Sequence, residues 1–242
     1  MNKFSIKFNK KKKLGLVILS AVGIGILFTL SFQPTSNLMN SSLEENIGNI
    51  IRPMGRVYGT INISSGSPIL GSSEAPTTII AFGDFQCASC KDWFLNTKPN
   101  ITKNLIETGK SNLVFIDAEL LGADSLLASE AAYCAEEQGK YWEYHGILYS
   151  SQQKIDDGWA SSASLKTLAL NVGLDERLFE NCLDSGKYEK KVKFNAYEAK
   201  KNGISKTPTF IILDSKGTNH KIMGSAPYSL FEEIVDLFTQ SK

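Results

Sequence analysis

Two of the four cysteines in this 242-residue chain lie close together, in the segment Cys87-Ala88-Ser89-Cys90. Side chains three positions apart share one face of a helix, where two cysteines can form a disulfide with little strain. A pair at this spacing could be a structural disulfide, part of a metal site, or a pair that exchanges electrons with other thiols. The elements around the pair decide between these three kinds of site.

The sequence on either side of the cysteines predicts a strand followed by a helix. Residues 77–83, TTIIAFG, are largely β-branched and aromatic, as in a central strand. After Cys90, apolar residues recur at helical spacing, with a kink expected at Pro99 and an end at Gly109. Cys87 then lies at the helix N-terminus, where unpaired N–H groups and the helix dipole favour the thiolate and lower the pKa of the thiol. We therefore predict that Cys87 is the nucleophile and that Cys90, shielded one turn further on, resolves the mixed disulfide.

The rest of the pattern predicts an α/β protein. Further strands are predicted at residues 57–63, 113–117, 209–214 and 219–223. Residues 125 to about 202 have the pattern of several helices, and a last amphipathic helix is predicted from about Tyr228 to Phe238. The order is therefore strand, cysteine pair, helix and strand, followed by a long helical stretch, two strands and a helix.

The N-terminal part has the pattern of a membrane anchor. Six lysines precede the first acidic residue, Glu44, and residues 14–32 contain no charged side chain. As a helix, this apolar stretch would be about 28 Å long, close to the thickness of the hydrocarbon core of a bilayer. We predict a cytoplasmic basic tail at residues 1–13, a transmembrane helix at 14–32, a flexible linker at 33–54 and an extracytoplasmic domain at 55–242. A cleaved signal peptide is the alternative for the apolar stretch.

Charge and cysteine count narrow the function classes further. Six of the 26 basic residues lie before the first of the 25 acidic ones, so the domain itself is mildly acidic, which argues against nucleic acid as a partner. Outside the cytoplasm disulfides persist, and four cysteines then suggest two pairs. We predict that Cys134 and Cys182 form a structural disulfide. Two buried free thiols, or a zinc site built from all four cysteines, are the alternatives.

Three segments resemble the DsbA-like thiol–disulfide oxidoreductases of the thioredoxin superfamily: residues 67–90, 131–149 and 203–212. The resemblance extends over about residues 67–242. It implies a thioredoxin fold with a helical insertion, at about residues 122–202, between the βα and ββα halves of that fold. In this chain the predicted transmembrane helix would precede the domain.

The resemblance also assigns roles to residues far from the cysteine pair. It places the family's cis-proline loop at Thr207 and Pro208, packed against the active disulfide. The backbone of Thr207 would pair there with an extended substrate strand. Substrate recognition would then depend mostly on main-chain groups and tolerate many sequences.

Two positions depart from the pattern of the family. Relatives usually have Pro and another residue, often His, between the cysteines, whereas this chain has Ala88 and Ser89. Six residues before the first cysteine, relatives often have a buried Glu or Asp that handles the proton of the resolving cysteine, and here that position is Ala81. Proton transfer at Cys90 would then need water or another group, with Asp84 as a weak candidate.

The resemblance implies an extracytoplasmic oxidase that exchanges disulfides with exported proteins through Cys87 and Cys90. The implied redox partner is a quinone-linked membrane oxidase of the DsbB or vitamin-K-epoxide-reductase-like (VKOR-like) type, and no metal or organic cofactor is required within the chain. Two alternatives stay open: an exported thiol reductase, and a thioredoxin-fold module that binds peptides without catalysis. Reductases that serve cytochrome maturation commonly have Trp before the first cysteine, where this chain has Gln86.

Overall fold

The computed structural model describes residues 57–58, 61–118 and 121–240 of the chain. Its strands are β1 (Val57–Tyr58), β2 (Ile61–Asn62), β3 (Thr77–Gly83), β4 (Ser111–Asp117), β5 (Thr209–Asp214) and β6 (Asn219–Met223). Its α-helices are α1 (Ala88–Asn96), α2 (Lys98–Ile101), α3 (Ala123–Glu136), α4 (Tyr141–Ser151), α5 (Ser162–Asn171), α6 (Glu176–Asp184), α7 (Glu189–Lys201) and α8 (Tyr228–Gln240), and a π-helical segment (Thr102–Ile106) directly follows α2. The predicted α/β class is confirmed.

The main sheet brings the end of one strand next to the beginning of another. Its strand order is β4-β3-β5-β6, with β3 parallel to β4 and antiparallel to β5. Phe82 of β3 therefore pairs with Thr209, the first residue of β5. The segment after β3 and the segment before β5 must meet at this edge of the sheet.

Alternate residues of β3 face two different cores, one on each side of the sheet. Ile79 belongs to a large core that includes side chains of α1, α3 and α8, whereas Ile80 belongs to a smaller core with Ala199 of α7. Every residue of β3 and β4 is buried, as expected for strands covered on both faces. The helices α3 to α7 lie between β4 and β5 in the chain, where the resemblance implies a helical insertion.

Two local predictions were wrong in detail. Residues 57–63 do not form one strand: β1 and β2 pair with each other, and Ile63–Ser65 forms a 3₁₀ turn. The alternation of apolar residues indicates extended chain but does not say where it turns. The break in the first helix falls at Thr97, and Pro99 lies in the first turn of α2, where its missing N–H group costs no hydrogen bond.

The predicted N-terminal elements lie outside the described residues. These are the basic tail at 1–13, the transmembrane helix at 14–32 and the linker at 33–54. Within the part of the chain that the structure describes, no helix combines the length and apolar character needed to cross a bilayer.

Candidate active site

The cysteine pair lies at the junction between β3 and α1. Cys87 is the N-cap residue of α1, with extended backbone angles (φ −76°, ψ 115°). Its carbonyl oxygen accepts the N–H groups of Cys90 and Lys91, at 3.0 and 3.1 Å, which closes the first turn of the helix. The Cys87 side chain is 8% exposed and that of Cys90 is 2% exposed. Of the two sulfurs, Cys87 is thus the more accessible, and Cys90 is one turn inside.

The surroundings of the two thiols shift their pKa values in opposite directions. The pKa of Cys87 is lowered to about 6, chiefly by a hydrogen bond from Cys90, with further hydrogen bonds from Thr207 and from the N–H groups of Cys90 and Ser89, against the opposing effect of burial. The pKa of Cys90 is raised well above its usual value, first by burial and then by the neighbouring Cys87. At neutral pH the arrangement therefore favours a thiolate at Cys87 and a thiol at Cys90.

The loop before β5 lies against Cys87. The Thr207–Pro208 peptide bond is cis, and the Cys87 Sγ lies 3.4 Å from the carbonyl oxygen of Thr207. The carbonyl oxygen of Pro208 accepts the N–H of Gly224 at 2.7 Å, which fixes the loop to the turn after β6. The structure thus brings together four of the residues singled out in the sequence, although Cys87 and Thr207 are 120 positions apart.

The dipeptide between the cysteines faces outward. Ala88 and Ser89 are both exposed in the first turn of α1. Neither side chain can carry a positive charge, so the low pKa of Cys87 depends on hydrogen bonds and not on a neighbouring cation.

Asp84 is closer to the chemistry than the sequence suggested. Its side chain is 2% exposed, and its carboxylate accepts hydrogen bonds from the N–H of Gln86 (2.6 Å), the N–H of Leu121 (2.8 Å) and the hydroxyl of Ser125 (2.8 Å). Burial raises the pKa of Asp84 to about 6, and the charge of Cys87 adds to that rise. By contrast, Ala81 is a buried apolar position paired between Phe115 and Phe210.

Gln86, the residue before Cys87, is a second position whose contacts the sequence did not reveal. Its side-chain amide donates to the Ser125 hydroxyl and to the Asp156 carboxylate, both at 3.0 Å, and accepts the N–H of Asp156 at 2.6 Å. These partners belong to α3 and to the loop after α4, which are 39 and 70 positions away. The one sequence feature that could have indicated these contacts is that two polar residues, Asp84 and Gln86, lie directly before the cysteine pair.

The other two cysteines are bonded to each other. Cys134 of α3 and Cys182 of α6 form a disulfide with a Cα–Cα distance of 5.7 Å. Two of the four thiols that a zinc site would need are therefore already paired. Within the described ranges, no group of three or more His, Cys, Asp or Glu side chains is placed to hold a metal ion.

Comparison with known families agrees with this geometry. A family model described as "Thioredoxin" matches residues 64–236, which is more than half of the chain. The matched range includes Cys87, Cys90 and the cis-proline loop. The chain belongs to the thioredoxin family.

Relatives within the thioredoxin family point to its DsbA-like branch. Disulfide bond formation protein D of Bacillus subtilis is 31% identical over 153 residues, which are 62% of this chain and 68% of that protein. A probable disulfide bond formation protein D of Bacillus anthracis is 29% identical, over 59% of this chain and 68% of its own length. Oxidised BdbD of Bacillus subtilis superimposes with a TM-score of 0.67 at 26% identity, covering 77% of this chain and all of that one. The DsbA-like assignment and the class of thiol–disulfide oxidoreductase are thereby confirmed.

A more distant structure shares the fold. Wolbachia pipientis alpha-DsbA1 superimposes with a TM-score of 0.64 at 24% identity, covering 71% of this chain and 90% of that one. At this identity the likeness shows the fold alone.

Proposed function

We propose that this DsbA-like protein is an extracytoplasmic oxidase that introduces disulfides into exported proteins through Cys87 and Cys90. The observation that carries the proposal is the opposite shift of the two pKa values, to about 6 for Cys87 and upward for Cys90. Stabilising the Cys87 thiolate stabilises the reduced form, and that makes the disulfide a stronger oxidant. The names of the two Bacillus relatives, which concern disulfide bond formation, support the same direction.

The proposed reaction moves two electrons from the client protein to the enzyme. A client thiolate attacks Cys87 in the Cys87–Cys90 disulfide, the S–S bond breaks, and Cys90 leaves and takes up a proton. A second client thiol, after losing its proton, attacks the client sulfur of the mixed disulfide and releases Cys87 as a thiolate. The client ends oxidised with one new disulfide, and the enzyme ends with both cysteines reduced. The low pKa of Cys87 makes it the better leaving group in the second step.

Clients would bind in an extended form beside the cis-proline loop. The 3.4 Å contact between Cys87 Sγ and the Thr207 carbonyl oxygen means that a client cysteine bonded to Cys87 must pass next to Thr207. Main-chain pairing with Thr207, next to Pro208, would hold the client without demanding a particular sequence.

The location and the redox partner belong to the same proposal. The apolar stretch at residues 14–32, preceded by six lysines, would anchor the chain with the catalytic domain outside the cytoplasm. A quinone-linked membrane oxidase of the DsbB or VKOR-like type would take up the two electrons and so reoxidise Cys87 and Cys90. The chain itself would need no cofactor for these steps, since thiol–disulfide exchange uses only sulfur.

Two measurements on the full-length chain test the proposal. Equilibration with glutathione redox buffers should give a reduction potential well above that of thioredoxin, about −270 mV. A value near that of thioredoxin would instead favour the exported reductase.

Oxidation of a reduced client by the pre-oxidised chain should then occur for the wild type and disappear for Cys87→Ser. Unchanged turnover in the variant would exclude Cys87 as the nucleophile. Absence of turnover in both proteins, together with retained peptide binding, would favour the non-catalytic module.

A further inference from the structure

The short connection between β3 and α1 has carbonyl groups that the sheet does not pair. Buried carbonyl groups need hydrogen-bond donors, and the end of α4 supplies them. The Tyr149 hydroxyl donates to the carbonyl oxygen of Asp84 at 3.3 Å. The side-chain amide of Gln152, one residue after α4, donates to the carbonyl oxygen of Phe85 at 2.5 Å and to that of Cys87 at 3.1 Å.

Gln152 is fixed in place from several sides. It is 9% exposed, and an amide group has two N–H donors, so the two carbonyl contacts use both of them. Its main-chain carbonyl oxygen accepts the ammonium group of Lys91, the residue after the resolving cysteine, at 3.0 Å. Its main-chain N–H donates to the carbonyl oxygen of Tyr149 at 3.4 Å. One residue of the helical insertion is thus bonded to the chain on both sides of the cysteine pair.

The carbonyl oxygen of Cys87 links Gln152 to the first turn of α1, where the reactive sulfur lies. The same oxygen accepts the N–H groups of Cys90 and Lys91 and so closes the first turn of α1. The N–H groups of Ser89 and Cys90 in that turn are among the donors that stabilise the Cys87 thiolate. A change in the orientation of the Cys87 carbonyl would therefore change how well the first-turn N–H groups point at the sulfur.

We infer that Gln152 is a positioning residue for thiol–disulfide exchange: its side-chain amide clamps the carbonyl groups of Phe85 and Cys87 and so holds the nucleophilic sulfur against the first turn of α1. It acts through the backbone of Cys87. The inference rests on the proposed role of Cys87 as the nucleophile. The reactivity of Cys87 would then depend on a side chain 65 positions away in the sequence.

The test compares Gln152→Met with Gln153→Met in the full-length chain. Methionine keeps the length of glutamine but has no N–H donor, and Gln153 is the exposed neighbouring glutamine. The rate at which iodoacetamide alkylates Cys87 in the reduced protein is measured from pH 4.5 to about 9, with the modified peptide identified by mass spectrometry.

We expect the pKa of Cys87 to rise by about 0.5 to 1 unit in Gln152→Met, which slows alkylation at pH 6 by about two- to fivefold. The rates of the variant and wild type should converge above about pH 8.5, where both sulfurs are ionised. Gln153→Met should follow the wild-type profile. A general loosening of the fold would also move the midpoint upward, toward that of a free thiol, but it would expose the sulfur and so raise the alkylation rate above the wild-type rate at about pH 9, where both sulfurs are ionised.

Three outcomes would overturn the inference. The first is a Gln152→Met profile with the wild-type midpoint, whatever its melting temperature. If Gln152→Met does not fold, Gln152→Asn keeps the amide on a shorter side chain, and an unchanged midpoint in that variant is the second. The third is failure of both variants to fold while Gln153→Met folds, since Gln152 would then serve the fold as a whole. An ordinary thiol pKa in the wild type itself would instead contradict the proposed function.

Discussion

The sulfur of Cys87 lies 3.4 Å from the main-chain carbonyl oxygen of Thr207 and, as a thiol, donates a hydrogen bond to it. The antiparallel pairing of β3 with β5 creates this contact, because one strand ends where the other begins. On ionisation the sulfur can no longer donate, and it becomes an acceptor for Cys90 and for the first-turn N–H groups. The charge of the Cys87 thiolate therefore develops where β3 ends, beside the main chain of the loop before β5.

Removing the thiol of Cys90 should raise the pKa of Cys87. The hydrogen bond from Cys90 is the largest of the effects that lower that pKa to about 6, and a hydrogen bond to a charged group contributes about 1.5–3 kcal/mol. We therefore expect Cys90→Ala to raise the pKa of Cys87 by about one unit or more. Thiolate absorbance at 240 nm is followed against pH, and the midpoint of this titration is the pKa of Cys87.

Cys90→Ser is the matched control for that change. The serine hydroxyl can still donate to the thiolate, so its midpoint should lie between those of the wild type and Cys90→Ala. Equal midpoints in all three proteins would show that Cys90 does not stabilise the Cys87 thiolate.

Replacing Asp84 by Asn should have the opposite effect on Cys87. The charge of Cys87 raises the pKa of Asp84, and because coupling is mutual, the ionised Asp84 raises the pKa of Cys87. Asp84→Asn removes this charge above about pH 6, so the alkylation midpoint of Cys87 should fall by about a few tenths of a unit.

Asp92→Asn is the control for the charge change at Asp84. Asp92 is exposed on α1 and hydrogen-bonds to Ser225 and Asn96, so its charge is screened by solvent. We expect no change in the Cys87 midpoint for Asp92→Asn. A fall of equal size in both variants would mean that net charge, and not the buried carboxylate, sets the effect.

The sequence predicted the parts of the site that depend on local pattern. A β-branched run followed by two cysteines at helical spacing places Cys87 at a helix N-terminus, and the order of strands and helices predicts the α/β class. Only the family resemblance identified Thr207 and Pro208. Residues 57–63 show the limit of such patterns, since alternation indicates an extended chain but not the strand with which it pairs.

The supporting side chains could not be predicted in this way. Gln152 reaches the Phe85 carbonyl across 67 positions and Gln86 reaches Asp156 across 70. Asp84 is buried because α3 and residue 121 cover it and supply hydrogen bonds. These contacts depend on how the helical insertion packs against the end of β3, and no local periodicity encodes that packing.

The disulfide between Cys134 and Cys182 should contribute to stability without tuning the active site. It joins α3 to α6 across 48 positions, and closing a loop of that size typically stabilises a protein by about 2–4 kcal/mol. The double variant Cys134→Ala/Cys182→Ala should unfold at lower urea concentration and keep the wild-type midpoint for Cys87 alkylation. Unchanged stability, or a shifted midpoint, would contradict this separation of roles.

His145 should make the folded state sensitive to acid. It is 1% exposed, and its ring lies about 5 Å from those of Phe85, Phe115 and Tyr149. Neither ring nitrogen has a hydrogen-bond partner among the described residues. Burial, followed by the charge of Lys98, lowers the pKa of His145 well below its usual value.

Whether stability rises or falls with pH depends on which state, folded or unfolded, binds more protons. Below about pH 6.5 an unfolded chain protonates this histidine and the folded chain does not, so the unfolded state binds more protons and stability falls as the pH falls. Between pH 7.5 and 5 the loss is about 2 kcal/mol. The raised pKa values of Asp84 and Glu130, about 6 and 7, act in the opposite direction. Only a comparison between variants isolates the histidine.

Between pH 7.5 and 5, the free energy of unfolding of His145→Phe, measured with urea, should therefore fall by about 2 kcal/mol less than that of the wild type. Phenylalanine fits an aromatic environment, and the change breaks no hydrogen bond to any residue that the structure describes. The second histidine of the chain, His220, lies exposed on β6, and His220→Phe should keep the wild-type pH dependence. Equal pH dependence in His145→Phe and the wild type would mean that His145 is protonated in the folded state, against the effect expected from its burial.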